Sequence, residues 1–204
     1  MATHAGLRSG GGGPMKVRAL ALISVACVML GGCSAYSVHP LYTAEDAVVE
    51  PGLEGTWVSD DKTEIQVQKT GAHEYSVVMT DPETKEVQTY KVNLVRLGDQ
   101  LFADMIFDGR TMRGTKLDEP AGVEAMHVVL KLNLSGGDLA YATLDKDAIE
   151  KENAATKPPL DTMATDDGML VTAPTEALRR YLAAHAAEVF SEAAHLKRKA
   201  PISR

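Results

Sequence analysis

The sequence predicts a mainly β domain, an antiparallel meander of about eight strands that forms a barrel or a curled sheet, with a C-terminal amphipathic α-helix. Three observations lead to this prediction. Apolar and polar residues alternate with a period of two from Leu53 onward, as expected of half-buried strands. Short turn sequences separate these strands, so neighbouring strands pair as antiparallel hairpins. Near the C-terminus the apolar residues adopt the spacing of a helix instead.

Most of the predicted strands are bounded by a local turn signal. Asp81-Pro82 ends the third strand because proline cannot donate a hydrogen bond to a strand ladder. Gly98-Asp99 and Gly136-Gly137-Asp138 suit tight turns between later strands. The predicted strands cover 53–59, 63–69, 74–80, 86–97, 100–107, 123–134 and 139–144, with a short eighth, edge strand at 168–171.

Two helices are predicted after the seventh strand. Asp145 is placed to cap a charged helix that Lys157-Pro158 ends. Pro174 opens a second helix that reaches about Lys197, because proline is favoured in the first turn of a helix. Its apolar stripe is predicted to pack against the sheet, and it consists of Leu178, Leu182, Val189 and Leu196.

The N-terminal part of the chain carries the features of a secretory signal peptide. Lys16 and Arg18 provide a basic flank to the apolar run at 19–30. This run is shorter than the ~20 apolar residues that a membrane-spanning helix needs. Two small residues, Gly31 and Gly32, then follow, as expected before a cleavage site.

The sequence Leu30-Gly31-Gly32-Cys33 resembles the lipobox of bacterial lipoproteins. In that family the cysteine receives diacylglycerol, and the chain is then cut just before it. The resemblance implies a protein of the bacterial cell envelope that is held to the membrane through a lipid, palmitate included, on Cys33. Ser34 in the next position implies the outer membrane, facing the periplasm, if the cell is Gram-negative. The alternative is an ordinary cysteine after an ordinary secretory signal.

These features divide the chain into segments. The Gly-rich start cannot bury a core, so it is expected to be disordered or a mis-called extension, with Met15 as the true start. A short apolar patch at 39–42 is expected to dock on the folded body. The predicted segments are the extension at 1–14, the signal peptide at 15–32, a lipidated tether at 33–51, the β-rich domain with its C-terminal helix at 52–199, and a tail at 200–204.

Charge limits the classes of partner. Removing the signal segment, with Arg8, Lys16 and Arg18, leaves 18 of the 21 basic residues against 28 acidic ones, a net charge of −10. Such a charge argues against nucleic acid and against adhesion to anionic lipid head groups. Lipidation of Cys33 would leave no other cysteine, so the folded domain would hold neither a disulfide nor a thiol nucleophile.

The first predicted strand contains Gly55-Thr56-Trp57, which resembles the Gly-x-Trp signature of lipocalins. In that family the tryptophan packs across the base of the barrel, so Trp57 is expected to close one end of the core. An arginine motif in a late strand is not evident here, and the predicted eighth strand is short. The alternative is a core tryptophan in an unrelated antiparallel sheet.

A small apolar ligand inside the barrel is the first functional expectation. Asp104 lies between apolar residues, so it either faces solvent at an edge or points into a cavity and contacts a ligand. The arginines 96, 110 and 113 are near it in sequence and could form an ion pair with it. If the core packs solid, the same residues only stabilise the domain, and the protein is a structural or interaction lipoprotein with an envelope protein as its partner. The candidate cavity residues are Tyr75, Val77, Tyr90, Phe102, Asp104 and Val128.

No catalytic motif accompanies these elements, so neither an enzyme nor a cofactor is predicted. Asp145-x-Asp147 fails as a calcium loop because Ile149 and Glu150 occupy the fifth and sixth positions. A metal-dependent hydrolase is a third alternative, and it rests on four residues with the spacing of one helical stripe. A working site would need a second set of ligands, and His73 and His127 lie on separate strands. The stripe is His185, Glu188, Glu192 and His195, and its simpler interpretation is a solvated helix face.

Overall fold

The computed structural model describes residues 34–112, 115–116, 126–166 and 168–200. The predicted signal peptide, the predicted lipobox and Cys33 lie outside these residues. Two α-helices are described, α1 at Lys146–Ala155 and α2 at Thr175–His185, with a short 3-10 helix at Pro51–Leu53. The strands are β1 Ala35–Ser37, β2 Ala47–Val48, β3 Gly55–Ser59, β4 Glu64–Lys69, β5 Glu74–Thr80, β6 Glu86–Leu97, β7 Gln100–Met112, β8 Thr115–Lys116, β9 His127–Ser135, β10 Asp138–Thr143, β11 Thr162–Thr165, β12 Gly168–Val171 and β13 Ala194–Arg198.

Eight of the strands form a closed antiparallel barrel. Its order is β3-β4-β5-β6-β7-β9-β10-β13, and β13 pairs with β3 to close the ring. The prediction of a mainly β fold of about eight antiparallel strands is therefore confirmed, and the barrel is the correct one of its two forms. The ring contains eight strand pairs. Six of them join strands that are hairpins or near neighbours in sequence, as the local turn signals indicate. The other two involve the C-terminal strand β13.

Side chains alternate between the inside and the outside of the barrel, as the pleat of a strand requires. In β5, Tyr75, Val77 and Met79 are buried inside, and Ile65 and Val67 of β4 pack beside them. The inward side chains of all eight strands make one apolar cluster, which we call the inner core. Residues 34–204 contain no cysteine, so burial of this cluster is the main source of stability available to them.

The outer surface of β7 and β9 is covered by a second layer, which we call the annex. It contains the three strands β1, β11 and β12 and the two helices. Strand β1 pairs in parallel with β12 and joins the barrel at β9, where Ser37 lies opposite His127. The annex and the outward side chains beneath it form a second apolar cluster, the outer core, in which Phe102 and Leu182 are fully buried.

The C-terminal part of the chain differs from the sequence prediction. The second helix ends at His185 and not near Lys197, and residues 194–198 form β13, the eighth strand of the barrel. The predicted edge strand at 168–171 exists as β12, but it belongs to the annex. Val189 is fully buried, and its carbonyl accepts a hydrogen bond from the backbone N–H of Asp145. The chain after His185 therefore bonds to the start of α1 and does not continue the helix. Tertiary pairing here overrides helix propensity.

Residues 34–51, assigned to the lipidated tether by the sequence, are part of the folded body from Ser34 onward. Leu41 is fully buried in the outer core, which agrees with the expected docking of the patch at 39–42. Strand β2 pairs with β6, where Ala47 lies opposite Val95. The N-terminal segment therefore crosses the outside of the barrel before it enters β3.

The predicted cap of the first helix is present. The Asp145 carboxylate accepts a hydrogen bond of 2.8 Å from the backbone N–H of Ala148. This contact satisfies one of the free N–H groups at the start of α1. Ile149, fully buried, then fixes the helix against the outer core.

Candidate functional site

The inside of the barrel holds an apolar cavity of about 70 Å³. An engineered cavity of roughly 150 Å³ is known to stay dry and to bind benzene, so this one suits a smaller apolar group. Two flexible methionines, Met79 and Met105, line it, and rotation of such side chains enlarges a cavity without moving the backbone. The lining residues are Leu53, Ile65, Val67, Val77, Met79, Val92, Ala103, Met105, Leu130, Leu132, Leu139, Tyr141 and Leu196.

The end of the barrel where β3 begins is closed by the 3-10 helix and its flanks. Leu53 of this helix is buried against the inner core. Just before it, Glu50 is tied to the Tyr75 phenol, which accepts from the Glu50 N–H at 2.9 Å and donates to the Glu50 carbonyl at 3.2 Å. Burial is the largest cause that raises the pKa of Tyr75, so the phenol stays neutral and able to donate.

Trp57 completes this closed end, which we call the base. It is fully buried, and its Nε1–H donates to the Leu53 carbonyl at 2.9 Å. Arg198 of β13 lies opposite Trp57 in the strand register, with its guanidinium carbon 4.2 Å from the ring centroid. The same guanidinium donates to the carbonyls of Gly52 and Glu54. One arginine thus joins the last strand, the tryptophan and the 3-10 helix.

A steric constraint explains why the Gly-x-Trp tripeptide has a glycine at position 55. Gly55 has a φ of +135°, and a Cβ at this position would lie 2.5 Å from Nη1 of Arg198. Because two carbonyl contacts hold the guanidinium, it has little freedom to move away. Glycine at this position therefore permits the arginine to lie over the tryptophan.

The opposite end of the barrel carries polar side chains on inward positions of β6. The Tyr90 phenol donates to Oε1 of Gln88 at 2.9 Å, and Nε2 of Gln88 donates to Oε1 of Glu86 at 3.1 Å. The Tyr90 ring meets Phe107 edge-on, with centroids 5.4 Å apart. In β10, burial and then the charge of Asp61 raise the pKa of Tyr141. Polar side chains therefore line the end of the interior that lies opposite the base.

The predicted cavity residues are distributed over both faces of the barrel wall. Tyr75, Val77, Tyr90 and Val128 belong to the inner core or pack against it, and Val77 lines the cavity itself. Phe102 lies instead in the outer core, and Asp104 points to the same outer side of β7. Leu101, Ala103 and Met105 are the inward residues of this strand. The sequence could not separate the two faces of β7, because the annex makes both of them apolar.

Asp104 holds the N-terminal segment on the barrel. Its carboxylate is almost completely buried, accepts the Leu41 N–H at 2.6 Å and lies 2.6 Å from Nδ1 of His127. The partner is therefore a histidine and not one of the arginines that the sequence suggested. Arg96 pairs with Glu50 at 2.7 Å, whereas the side chain of residue 110 and the whole of residue 113 lie outside the described residues. Asp104 and His127 are the polar contact that the sequence missed.

The four residues of the supposed metal stripe do not share a helix. His185 ends α2 and lies 2.9 Å from Glu152 of α1, whereas Glu188 and Glu192 follow the helix. His195 lies exposed in β13. Within the described ranges, no group of three or more histidine, cysteine or acidic side chains is placed to hold a metal ion.

A wider groove of about 470 Å³ lies beside the base, between the β6–β7 hairpin and β9. Of its four charged side chains, Glu50, Arg96 and Lys131 already have partners. Arg96 pairs with Glu50, and Nζ of Lys131 donates to the Ala186 carbonyl at 2.7 Å. The groove therefore lacks the convergent polar groups expected of a specific binding site.

Comparisons with known proteins add no assignment. No protein-family model, curated protein or solved structure matches this chain. No helix within the described part of the chain is long and apolar enough to cross a membrane. The function therefore has to be argued from the barrel and the N-terminal sequence.

Proposed function

We propose that this protein is a lipid-anchored, non-catalytic lipoprotein of the bacterial cell envelope whose barrel binds a small apolar ligand. The observation that carries the binding function is the cavity of about 70 Å³ inside a closed barrel, lined almost entirely by apolar side chains. Barrels of eight strands are just wide enough to be filled by side chains or to hold one small ligand.

The base supports a lipocalin-like binding domain. A barrel that holds an apolar ligand needs one sealed end, and here Trp57, Leu53 and Arg198 supply it. Arg198, which the sequence had placed at the end of a helix, lies in the last strand of the barrel and over the ring of Trp57. The tryptophan and the arginine together make the resemblance more specific than the Gly-x-Trp tripeptide.

The size of the cavity limits the ligand. A short hydrocarbon group fits the resting interior, and a ring or a longer chain requires Met79 and Met105 to rotate. The hydrogen-bonded side chains of Gln88 and Tyr90 stand at the other end of the barrel, where a polar end of the ligand would remain. The ligand class is therefore a small apolar or weakly amphipathic molecule.

The anchor rests on the lipobox. Lipidation of Cys33 is supported by the basic flank, the apolar run and the sequence Leu30-Gly31-Gly32-Cys33. The lipid would attach the protein to the envelope membrane, which in a Gram-negative cell is the outer membrane, facing the periplasm. The non-catalytic assignment is supported by the role of Asp104 and His127, which fasten the N-terminal segment and do not face the cavity.

Ligand binding is tested with benzene and with alkanols of increasing length, followed by methyl NMR of Met79 and Met105 in the mature protein. We expect saturable shifts of both methyl groups. Ala103→Leu fills the cavity and should abolish the shifts, whereas Ala140→Leu, on the outward face of β10, should leave them. Absence of saturable shifts in the unsubstituted protein, or equal loss in both variants, refutes ligand binding.

The anchor is tested separately by Cys33→Ser in the full-length chain. We expect loss of the lipid mass, loss of signal-peptide cleavage and release from the membrane fraction. Unchanged processing and partitioning would refute the lipoprotein assignment.

A structural or interaction lipoprotein is the second candidate, and the small size of the cavity favours it. A volume of about 70 Å³ also arises from imperfect packing around Ala103 in an otherwise filled interior. The NMR titration separates the two functions, because a scaffold barrel shows no saturable shifts.

A further inference from the structure

Ser34, which follows the cysteine that carries the proposed lipid, is already part of the folded domain. Ser34 forms a bridge with Asp145, and its carbonyl accepts the Met169 N–H at 3.3 Å. A Cβ at Gly168 would lie 2.6 Å from that carbonyl, so the close contact depends on a glycine there. Consecutive Cα atoms are ~3.8 Å apart, so a lipid on Cys33 would enter the bilayer beside this corner of the annex.

The annex sheet presents a row of apolar side chains next to this corner. Tyr36 of β1 lies opposite Leu170 of β12, and Leu170 lies opposite Met163 of β11. Residues opposite each other on neighbouring strands share a face of the sheet, with strands ~4.8 Å apart. Alternate residues, such as Met169 and Val171, are buried in the outer core on the other face. The row therefore lies on the outward face of the annex.

This face has the most exposed large apolar side chains of the described residues. Met163 is 52% exposed and Val38, which follows β1 directly, is 38% exposed. No other large apolar side chain in the described ranges is exposed to this extent. Leu170 and Tyr36 are partly buried. Exposed apolar residues scattered singly need no explanation, but here they adjoin the point of lipid attachment.

We propose that the outward face of the annex sheet, with Tyr36, Leu170 and Met163, lies against the bilayer that holds the Cys33 lipid. This inference rests on the proposed lipid anchor. Because Ser34 directly follows the lipidated cysteine, the anchored domain stays close to the membrane surface. The effective concentration of the annex face at the bilayer is therefore high, so even a weak apolar contact is populated. A tyrosine ring in the row suits the boundary between head groups and acyl chains.

Charge specifies the kind of surface. Asp161 and Asp166 lie at the two ends of β11, and Asp145 adjoins Ser34. These carboxylates disfavour anionic head groups, so the face fits a zwitterionic lipid surface. The barrel then projects into the solvent with β4, which lies opposite β9 in the ring of eight strands, on the distant side.

The test measures the depth of single labels in the lipidated protein. Processing removes Cys27 and blocks the thiol of Cys33, so one introduced cysteine is the single free thiol. Met163→Cys places a bimane label on the row, and Gln68→Cys places it on the outward face of exposed β4 as a matched control. Both proteins are reconstituted into phosphatidylcholine vesicles with and without a phosphatidylcholine that carries brominated acyl chains.

We expect the brominated lipid to remove most of the fluorescence at position 163 and to leave that at position 68 unchanged. Adding Leu170→Asn should restore fluorescence at 163. Floating vesicles with equal, weak quenching at both positions would refute the membrane-facing orientation and leave the anchor intact. A label at 163 that is shielded from water but not quenched by brominated lipid would indicate a protein partner and also overturn the proposal. Failure of the protein to float would remove the anchor and this inference together.

Discussion

The guanidinium of Arg198 lies over the ring of Trp57, 4.2 Å from its centroid, and donates to two carbonyls of the segment that closes the base. The first and the last strand of the barrel are therefore joined by side chains as well as by their backbone ladder. No turn connects these two strands, so the ladder and this side-chain contact hold the ring closed at that point. The relationship leads to the first prediction.

Arg198→Ala should lower the free energy of unfolding by about 2 kcal/mol, because it removes a cation–π contact and two charge-assisted hydrogen bonds at a partly exposed site. Urea unfolding measures the change. Trp57 is the sole tryptophan, so its fluorescence reports directly on the base. Its emission should also shift to the red in the folded variant.

Two control variants accompany this measurement. Lys197→Ala changes an exposed neighbour in the same strand and should alter stability by less than about 0.5 kcal/mol. Arg198→Lys retains the charge but not the planar fork, and it should recover only part of the loss. Full stability in the lysine variant would show that charge alone explains the contact.

Strand β13 gives the second prediction. Leu196→Ala should cost about 3 kcal/mol, because Leu196 is a buried residue of the inner core and the truncation enlarges the cavity. His195→Ala, at an exposed neighbouring position, should be close to neutral. Urea unfolding of both variants measures the contrast. Equal effects would contradict the alternating burial of a strand.

Local signals explain why the hairpins could be predicted and β13 could not. The strands from β3 to β7 are linked by short turns, and their alternation is visible within each segment. Residues 194–198 contain good helix formers and follow a helix, so their local pattern favours helix. Their strand structure depends on pairing with β10 and β3, which lie more than 50 residues away in sequence. Such long-range pairing leaves no local signal.

The site shows the same limit in another form. Period-two alternation separated the side chains of β5 and β9 into two faces, but it did not identify which face of β7 is the interior. Ala103 lines the cavity although it is small, and the larger Phe102 lies outside. One sequence signal was available. Asp104 and Phe102 are two residues apart in the same strand, so their side chains had to point to the same face.

The contact between Asp104 and His127 gives the third prediction. Asp104→Asn should cost about 3 kcal/mol, because it replaces a buried carboxylate, whose two oxygens face the Leu41 N–H and Nδ1 of His127, by an amide with one acceptor oxygen. The N-terminal segment should then detach more readily. Limited proteolysis should cut it at 38–46 at lower protease concentration than in the unsubstituted protein.

Asp108→Asn is the matched control on the same strand. Asp108 pairs with Lys91 at 2.9 Å, but both side chains are at least 40% exposed, so the pair contributes little. We expect unchanged stability and unchanged proteolysis. A comparable loss in the Asp108 variant would show that the effect reflects the charge of the strand and not the buried contact.

Tyr181 of α2 gives the last prediction, which concerns alkaline pH. Its hydroxyl is buried, and within the described part of the chain it has no hydrogen-bond partner. Burial first, and then the charge of Glu152, raise the pKa of Tyr181 from its ordinary 10.0 to about 12. The folded state therefore favours the neutral phenol, so this stabilising difference is fully present below pH 10 and is lost as the pH rises towards 12.

Tyr181→Phe should leave stability at pH 7 unchanged or slightly higher, since it removes an unsatisfied hydroxyl and keeps the ring. At alkaline pH the variant should lose less stability than the unsubstituted protein, and its phenolate absorbance titration should lack the latest step. Tyr75→Phe is the contrast, because it removes two hydrogen bonds to Glu50 and should cost about 1 kcal/mol at pH 7. Equal costs for the two substitutions would show that the Tyr181 hydroxyl has a stabilising partner in the folded protein.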